Sequence, residues 1–317
     1  MTEKRWIAPS FGDADVLELE RFEVGDLAPT EVEIEVRAVG MNPADAKAVA
    51  GAYARNASAL PIRPGYEVSG VVRRLGADAA GSGLAVGDEV LAFRISDGYA
   101  TAVVTDVANV FPKPAGLSFA VAANLLLAAT TAADTLRVVD VEEGDVVLVH
   151  GASGSVGGFA IQLARREGAE VIGTTSARHR DEVDARGAIA VEYGDGLRER
   201  IAAVTHRVDA AIDCVGTDEA VDVSEELVAD RSRIVTIAAQ ARAKADGFPA
   251  VGGGTPESAA FRDSVRQQIL DLAGSGELRM PPVRTFPFAD ARDALRLLAS
   301  GHPGGKLALE VTAADRA

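Results

Sequence analysis

The segment Val146-Val147-Leu148-Val149-His150 runs directly into Gly151-Ala152-Ser153-Gly154-Ser155-Val156-Gly157-Gly158. A buried strand, a glycine-rich turn and the start of a helix in that order can cradle a pyrophosphate. Gly151 permits the tight turn, Gly154 lets backbone N–H groups approach phosphate oxygens, and Gly157 lets the helix pack closely on its sheet. The spacing is G-x-x-G-x-x-G, not the commoner G-x-G-x-x-G, and an ordinary strand-to-helix turn would look similar. Context decides: Val156, Ala160, Leu163 and Ala164 form an apolar stripe at helical spacing, and Gly168 follows as a stop. The leading ligand is a dinucleotide.

The next strand, Glu170 to Thr174, ends in Gly173-Thr174-Thr175-Ser176-Ala177-Arg178. Doubly wound folds that prefer NAD place a carboxylate there, on the adenosine ribose. No Asp or Glu stands at this end, and Glu170 is at the wrong one. Ser176 and Arg178 offer a hydroxyl and a guanidinium suited to a 2′-phosphate, which favours NADPH over NADH. The competing reading makes Arg178, with Arg180 beside it, a solvated helix start. A hydrolase is a weaker rival. Gly151-Ala152-Ser153 begins like a nucleophile elbow, but Ser155 stands where the second glycine is required, and His150, His179, His206 and His302 have no triad context.

The elements that must position these residues span 317 residues, which implies two domains. A net charge of -15 argues against a nucleic-acid backbone as partner and requires a local positive pocket for an anionic cofactor. The single cysteine, Cys214, excludes an intramolecular disulfide or a Cys-rich zinc site, reads as a small buried hydrophobe, and suits a reducing cytoplasm. No apolar run follows Met1-Thr2-Glu3-Lys4-Arg5-Trp6, so no secretory signal is expected. The longest apolar stretch, Phe119 to Ala129, is interrupted by Asn124 and followed by Thr130, Thr131 and Asp134, and reads as a core helix rather than a membrane span.

From Glu31 to Ala38 the sequence alternates strictly, with Val32, Ile34, Val36 and Ala38 on one face and Glu31, Glu33, Glu35 and Arg37 on the other. That is a half-buried antiparallel strand. Short β-type runs follow at Tyr66 to Val72, Asp88 to Phe93 and Tyr99 to Thr105. From about Phe119 the texture changes to strands alternating with helical segments, at Asp145 to His150, Glu170 to Thr174, Val208 to Asp213 and Arg233 to Ile237. This predicts an α/β fold with a doubly wound parallel sheet. A helical stretch from Glu257 to Ala273, an apolar helix face of Phe288, Ala291, Leu295 and Leu298, and a strand at Lys306 to Val311 complete the chain.

Together these features resemble the medium-chain dehydrogenase/reductase superfamily, and within it the zinc-independent quinone oxidoreductase group. The marks are Asn42-Pro43-Ala44-Asp45-Ala46-Lys47, Pro64-Gly65-Tyr66-Glu67-Val68-Ser69-Gly70, Val86-Gly87-Asp88-Glu89-Val90, the glycine turn, Asp213-Cys214-Val215-Gly216, and Gly301-His302-Pro303-Gly304-Gly305-Lys306. The resemblance implies a Rossmann domain over residues 127–255, flanked by a mostly β GroES-like catalytic domain built from 1–126 and 256–317, with cofactor and substrate between them. Zinc-dependent relatives carry Cys, His and Cys where this chain has Ala44, Tyr66 and Leu127, leaving only Glu67 of that pattern, so a metal-free enzyme is expected.

By family position, Asn42, Lys47, Tyr53 and Tyr66 fall near nicotinamide and substrate, and Thr131 approaches the nicotinamide; Tyr99 is a further candidate. Their competing readings are a helix cap for Asn42, a solvated Lys47 and amphipathic core tyrosines. Ser153, Gly154, Ser155, Val156 and Gly157 would meet the pyrophosphate, and Ser176, Arg178 and Tyr193 the adenosine phosphate. Cys214 and Val215 would lie near the adenosine or its ribose, and backbone at Ile237, Ala238 and Val251 would hold the carboxamide. The implied activity is NADPH-dependent hydride transfer to a quinone or an α,β-unsaturated carbonyl, by a cytoplasmic homodimer that pairs edge strands near Arg233 to Ile237. The alternatives are an enoyl-thioester reductase and a non-catalytic NADPH-binding sensor or structural protein. Loops near Tyr53, Arg94 and Phe248 are expected to set the size of the substrate pocket, and the segment Ala238 to Gly254 departs from the family pattern.

Overall fold

Period-two alternation marks strands with one wet face, whereas continuous apolar runs mark strands covered on both faces. Both kinds are present in the computed structural model, which describes residues 2–53, 56–301 and 304–316. Of the family marks, His302 and Pro303 lie outside the described residues. Contacts divide the chain into two units, residues 1–127 with 282–317, and residues 128–281. Among the described residues the strands are β1 (Thr2–Ile7), β2 (Glu18–Glu23), β3 (Glu31–Met41), β4 (Glu67–Leu75), β5 (Glu89–Phe93), β6 (Ala102–Asp106), β7 (Val110–Pro112), β8 (Val146–His150), β9 (Glu170–Thr175), β10 (Ile189–Glu192), β11 (Ala210–Asp213), β12 (Ile234–Thr236), β13 (Val283–Pro287) and β14 (Lys306–Glu310).

In the first unit the sheet order is β13-β14-β3-β4-β5-β7, with β6 also paired to β3, and β1 and β2 form a separate antiparallel pair. β3 is the centre, antiparallel to β4, β6 and β14. Val32, Ile34, Val36 and Ala38 are all buried, as the alternation predicts. The opposite face is not simply wet. Glu33 is 2% exposed because Arg73 holds its carboxylate at 3.0 Å and Arg74 binds its other oxygen. Arg73 also reaches Glu3 at 2.6 Å and Glu35 at 3.3 Å, so one arginine organises three carboxylates drawn from two strands. Distant segments share the apolar core: Trp6 donates its indole N–H to the Phe288 carbonyl at 3.0 Å, and Phe288, Ala291, Leu295 and Leu298 are buried together with Trp6.

The second unit holds the expected doubly wound sheet, in the order β10-β9-β8-β11-β12 with every pairing parallel. The chain steps outward from β8 through β9 to β10, then returns to the far side of β8 with β11 and β12. Strand order therefore reverses between β8 and β11, the place where such sheets open a crevice. The helix Ser155–Arg166 buries Gly157, Ala160, Ile161 and Ala164. Gly158 and Phe159 are buried as well, so the first half of the helix is covered on all sides, while Val156 and Leu163 of the predicted stripe are only partly covered. The expected helical stretch from 257 to 273 is two helices, Pro256–Ser264 and Arg266–Ser275, which fall in this unit.

β12, within the expected segment Arg233 to Ile237, is the edge strand of the parallel sheet, and its outer side is bridged at Thr236, whose N–H donates to the Pro249 carbonyl at 3.1 Å and whose carbonyl accepts the Val251 N–H at 2.9 Å. One expectation needs correction. Phe248 is 6% exposed and belongs to the core of this unit, not to a pocket loop. The stretch Phe119–Val138 has the length and apolarity to cross a membrane, but most of it is buried. It is divided into helices Phe119–Ala122 and Leu126–Val138, and between them the Asn124 amide donates to the Ala120 carbonyl at 2.9 Å.

Candidate functional site

At the carboxyl ends of the parallel strands the glycine turn closes against its neighbours. Gly151 is left-handed at φ +72°, and a Cβ placed there would fall 2.6 Å from Val215 Cγ2. Gly154 caps the helix Ser155–Arg166, and its N–H bonds back to the Gly151 carbonyl at 2.9 Å. A Cβ on Gly157 would lie 2.4 Å from that same carbonyl oxygen. The first amides of a helix have no acceptor within it, so Ser155, Val156 and Gly157 present N–H groups at a partly positive end. This cradle fits an anionic diphosphate: only bare backbone can approach so closely, and the donors are already aligned.

Beneath the turn, Thr174, His150, Asp213 and Thr236 stand in register across β9, β8, β11 and β12. His150 Nδ1 and Thr174 Oγ1 are 3.2 Å apart, and burial pushes the imidazole down to about 4, so His150 is neutral near pH 7. Thr236 Oγ1 donates to Asp213 Oδ2 at 2.6 Å, while Asp213 Oδ1 accepts the N–H groups of Val215 and Gly216, each at 2.8 Å. Asp213 thereby fixes the turn that carries Cys214 and Val215. Cys214 is partly exposed, not the buried residue the sequence suggests, and its desolvated surroundings push the thiol up, away from a thiolate. Ile237 donates its N–H to the Asp213 carbonyl at 3.0 Å, and Ala238 donates to Thr236 Oγ1 at 3.0 Å. A Cβ at Gly216 would meet Ala238 Cβ at 2.8 Å, and Val251 is bonded to Thr236, so these positions gather at one rim.

Beyond β9, Ser176 precedes the short turn Ala177–His179, with its Oγ 3.4 Å from His179 Nδ1. Arg178 is exposed, and among the described residues it forms no ion pair. Arg180 is committed elsewhere, donating to the Ala190 carbonyl at 3.1 Å. Tyr193 is 54% exposed, and Val215, at the end of β11, is 48% exposed. The loop carrying Tyr193 is held by Arg200, whose guanidinium binds the carbonyls of Glu192, Gly194 and Asp195, and by Glu219, which accepts the Gly194 N–H at 3.1 Å. Neither Arg200 nor Glu219 has a sequence signature, because their partners are main-chain groups.

In the first unit a buried polar cluster surrounds Asn42. Its Nδ2 donates to Glu67 Oε1 at 2.9 Å, and its Oδ1 accepts from Lys306 Nζ at 2.5 Å. Lys306 Nζ also lies 3.6 Å from Glu67 Oε1, and Glu67 Oε2 accepts the Leu127 N–H at 3.0 Å. Asn42 stands at the N-cap of the helix Pro43–Val49, but its side chain is turned into this cluster; the cap contact runs the other way, from Asn42 N–H to Asp45 Oδ2 at 2.7 Å. Asp45 also accepts from Gly65 N–H at 3.2 Å and from the Tyr99 hydroxyl at 3.3 Å. Burial raises Asp45 to about 7, raises Glu67 and lowers Lys306.

Tyr66 is partly buried, and burial with Asp45 and Tyr53 nearby pushes its phenol up to about 12, so it stays protonated and can donate a hydrogen bond. Tyr99 is fully buried, whereas Tyr53 is 62% exposed and Lys47 is on the solvated side of its helix. Thr131 is buried on the helix Leu126–Val138, in the second unit. The structure thus joins Asn42 to Glu67 and a lysine from the far end of the chain; a buried Lys306 pairing across that distance had no local signal. Among the described residues, no three His, Cys, Asp or Glu side chains are placed to hold a metal. At the positions that bear zinc ligands in the zinc-dependent relatives, Ala44, Tyr66 and Leu127 offer no usual zinc ligand, and Glu67 is occupied by Asn42, Lys306 and a main-chain amide.

Residues 28–143 match the family described as alcohol dehydrogenase GroES-like domain, and residues 182–309 match zinc-binding dehydrogenase. The chain is 30% identical over 325 residues to a chloroplastic NADPH-dependent alkenal/one oxidoreductase of Arabidopsis thaliana, covering 96% of this chain and 78% of that protein. It is also 30% identical to a 2-methylene-furan-3-one reductase of Solanum lycopersicum, with the same coverage. The solved quinone oxidoreductase of Coxiella burnetii superposes with a TM-score of 0.80 at 28% identity, over 98% of this chain and all of that one. With a Rossmann sheet, a GroES-like unit and relatives aligned over almost its whole length, this chain belongs to the medium-chain dehydrogenase/reductase superfamily and is an oxidoreductase of that superfamily.

Proposed function

We propose that this protein is a zinc-independent reductase that uses NADPH to reduce quinones or α,β-unsaturated carbonyl compounds. The observation that carries this reading is the rim of the parallel sheet, where the glycine turn, a helix N-terminus and the Val215 and Ala238 turns converge, with Arg178 exposed and no carboxylate at the end of β9. Ser153, Gly154, Ser155, Val156 and Gly157 hold the pyrophosphate, and Ser176, Arg178 and Tyr193 receive the adenosine 2′-phosphate. Bound NADPH supplies the hydride. The names of the two plant relatives support a conjugated acceptor, since a 2-methylene-furan-3-one is a carbonyl conjugated with its methylene.

The chain's own part is to bind, orient and stabilise charge. As the acceptor is reduced, negative charge develops on its carbonyl oxygen, and a metal-free site answers with hydrogen-bond donors. Tyr66 and Tyr53 are neutral phenols suited to that role, and Asn42 is fixed in place by Lys306 and Glu67. Solvent or one of these phenols completes protonation. Absence of zinc rests on the identities of Ala44, Tyr66 and Leu127 and on the prior engagement of Glu67.

Calorimetry should detect NADPH binding, and Arg178→Ala should weaken NADPH by about tenfold or more while sparing NADH, the signature of a lost charge-assisted phosphate contact. Equal losses for both cofactors would remove the 2′-phosphate assignment. A panel of quinones, enones and an enoyl thioester, followed through NADPH absorbance, identifies the acceptor. Binding without oxidation of NADPH by any of them would make the protein a non-catalytic binder. Stoichiometric zinc required for turnover would overturn the metal-free reading.

A further inference from the structure

Arg186 follows the helix Arg180–Ala185 and lies under the glycine turn with its side chain only 7% exposed. Its Nη1 donates to the carbonyl oxygens of Ala152 at 3.2 Å and Ser153 at 3.5 Å, and its Nη2 pairs with Glu182 at 2.5 Å. Room for the guanidinium exists because residue 158 is glycine: a Cβ there would stand 2.7 Å from Nη1 and 2.8 Å from Cζ. Gly158 is neither left-handed nor one of the three spaced glycines, so accommodating Arg186 is a separate reason for its lack of a side chain.

A trans peptide points its C=O and its N–H in opposite directions. Holding the Ala152 carbonyl on Arg186 therefore turns the Ser153 N–H away from the arginine. The Ser153 carbonyl is held in the same way, and the next N–H, that of Gly154, closes the turn onto Gly151. Glu182 offsets the guanidinium charge at contact distance, so long-range attraction of an anion is a small part of what Arg186 contributes. Its contribution is orientation, established before any ligand arrives.

We infer that Arg186, seated in the notch left by Gly158, is a positioning residue that holds the glycine turn in its pyrophosphate-binding conformation. The inference rests on the dinucleotide reading above. It does not place Arg186 in contact with the ligand, and it confines the effect to ligands that reach the turn.

The test is calorimetry on the full chain with two probes, NADPH and 2′-AMP, which carries the ribose 2′-phosphate but no pyrophosphate. Arg186→Met and Gly158→Ala should each weaken NADPH about tenfold, the scale of one charge-assisted hydrogen bond. Both variants should leave 2′-AMP within about twofold. The double variant should be no weaker than Arg186→Met alone, because the new methyl then has no guanidinium to displace, and Arg186→Lys should recover part of the loss. If Arg186→Met does not fold, Gly158→Ala and Arg186→Lys carry the test. Unchanged NADPH affinity, equal losses for both probes, or additive losses in the double variant would overturn the inference while the dinucleotide reading stands. A wild-type chain that binds neither NADPH nor NADP⁺ would instead bring down the reading and the inference together.

Discussion

Asp45 is completely buried, and that burial holds its proton up to about pH 7 despite main-chain donors from Asn42 and Gly65 and the nearby Lys306. An unfolded chain releases the same proton near the ordinary carboxylate value of about 4. Between those limits the folded state retains a proton that the unfolded state has lost, so the contribution of Asp45 to stability is greatest below about pH 4 and falls as pH rises toward 7. The slope is at most about 1.4 kcal/mol per pH unit and vanishes above 7. His150 works against it on the acid side, because burial holds the folded imidazole neutral down to about 4 while an unfolded histidine protonates near 6.5. Comparing Asp45→Asn with the wild type isolates the aspartate. Thermal melts from pH 4.5 to 8 should show the variant gaining on the wild type up to about pH 7 and a constant difference beyond it. A difference that stays the same at every pH would mean that Asp45 titrates as an exposed carboxylate does.

The strand, turn and helix formed by β8, the glycine turn and Ser155–Arg166 form one unit whose geometry depends on missing side chains. A methyl on Gly157 would collide with the Gly151 carbonyl, which is backbone and cannot swing aside. Gly157→Ala should therefore cost about 1–3 kcal/mol in urea unfolding, the range for overpacking, and should also weaken NADPH. Gly252→Ala is the control, since a Cβ there meets nothing within 4 Å and should change stability by no more than about 0.5 kcal/mol. Matching losses at both sites would show that close packing against the Gly151 carbonyl is not what matters at Gly157. The cluster in the first unit is also assembled from separate elements: β14 brings Lys306, β4 brings Glu67, and Asn42 lies between the end of β3 and the next helix. Each polar group is tolerable in the interior because the others satisfy it.

On the scale of the whole molecule, the net charge of -15 makes the positive features of the second unit selective: an anion meets a helix N-terminus and Arg178 on a chain that otherwise repels it. We expect a homodimer. β12 is the edge strand of the parallel sheet, bridged on its outer side at Thr236, and an edge strand is where a second copy can pair. Light scattering should then give about twice the chain mass of 32.8 kDa. A monomer at working concentration would count against it.

Much of the fold was legible because its patterns are local. The strict alternation from Glu31 to Ala38 and the apolar run into Gly151 follow from where each side chain must point, and both lead to strands that the structure contains. The glycine turn was readable for the same reason, since positive φ and close approach exclude a Cβ at fixed spacings. Other features are set by partners far away in the chain. β13 was missed because Val283-Arg284-Thr285-Phe286-Pro287 has no clean alternation and becomes a strand by pairing with β14. Glu33 looked like a solvated residue until Arg73 and Arg74 covered it. Lys306 beneath Asn42, and Arg186 in the notch at Gly158, join residues that nothing in their own neighbourhoods connects. By itself the sequence determined the strongly patterned strands, the glycine turn and most helical segments, because backbone sterics and side-chain period act over a few residues. Only the tertiary structure decided which buried charges meet, because their pairing depends on long-range packing and on the cost of leaving any of them without a partner.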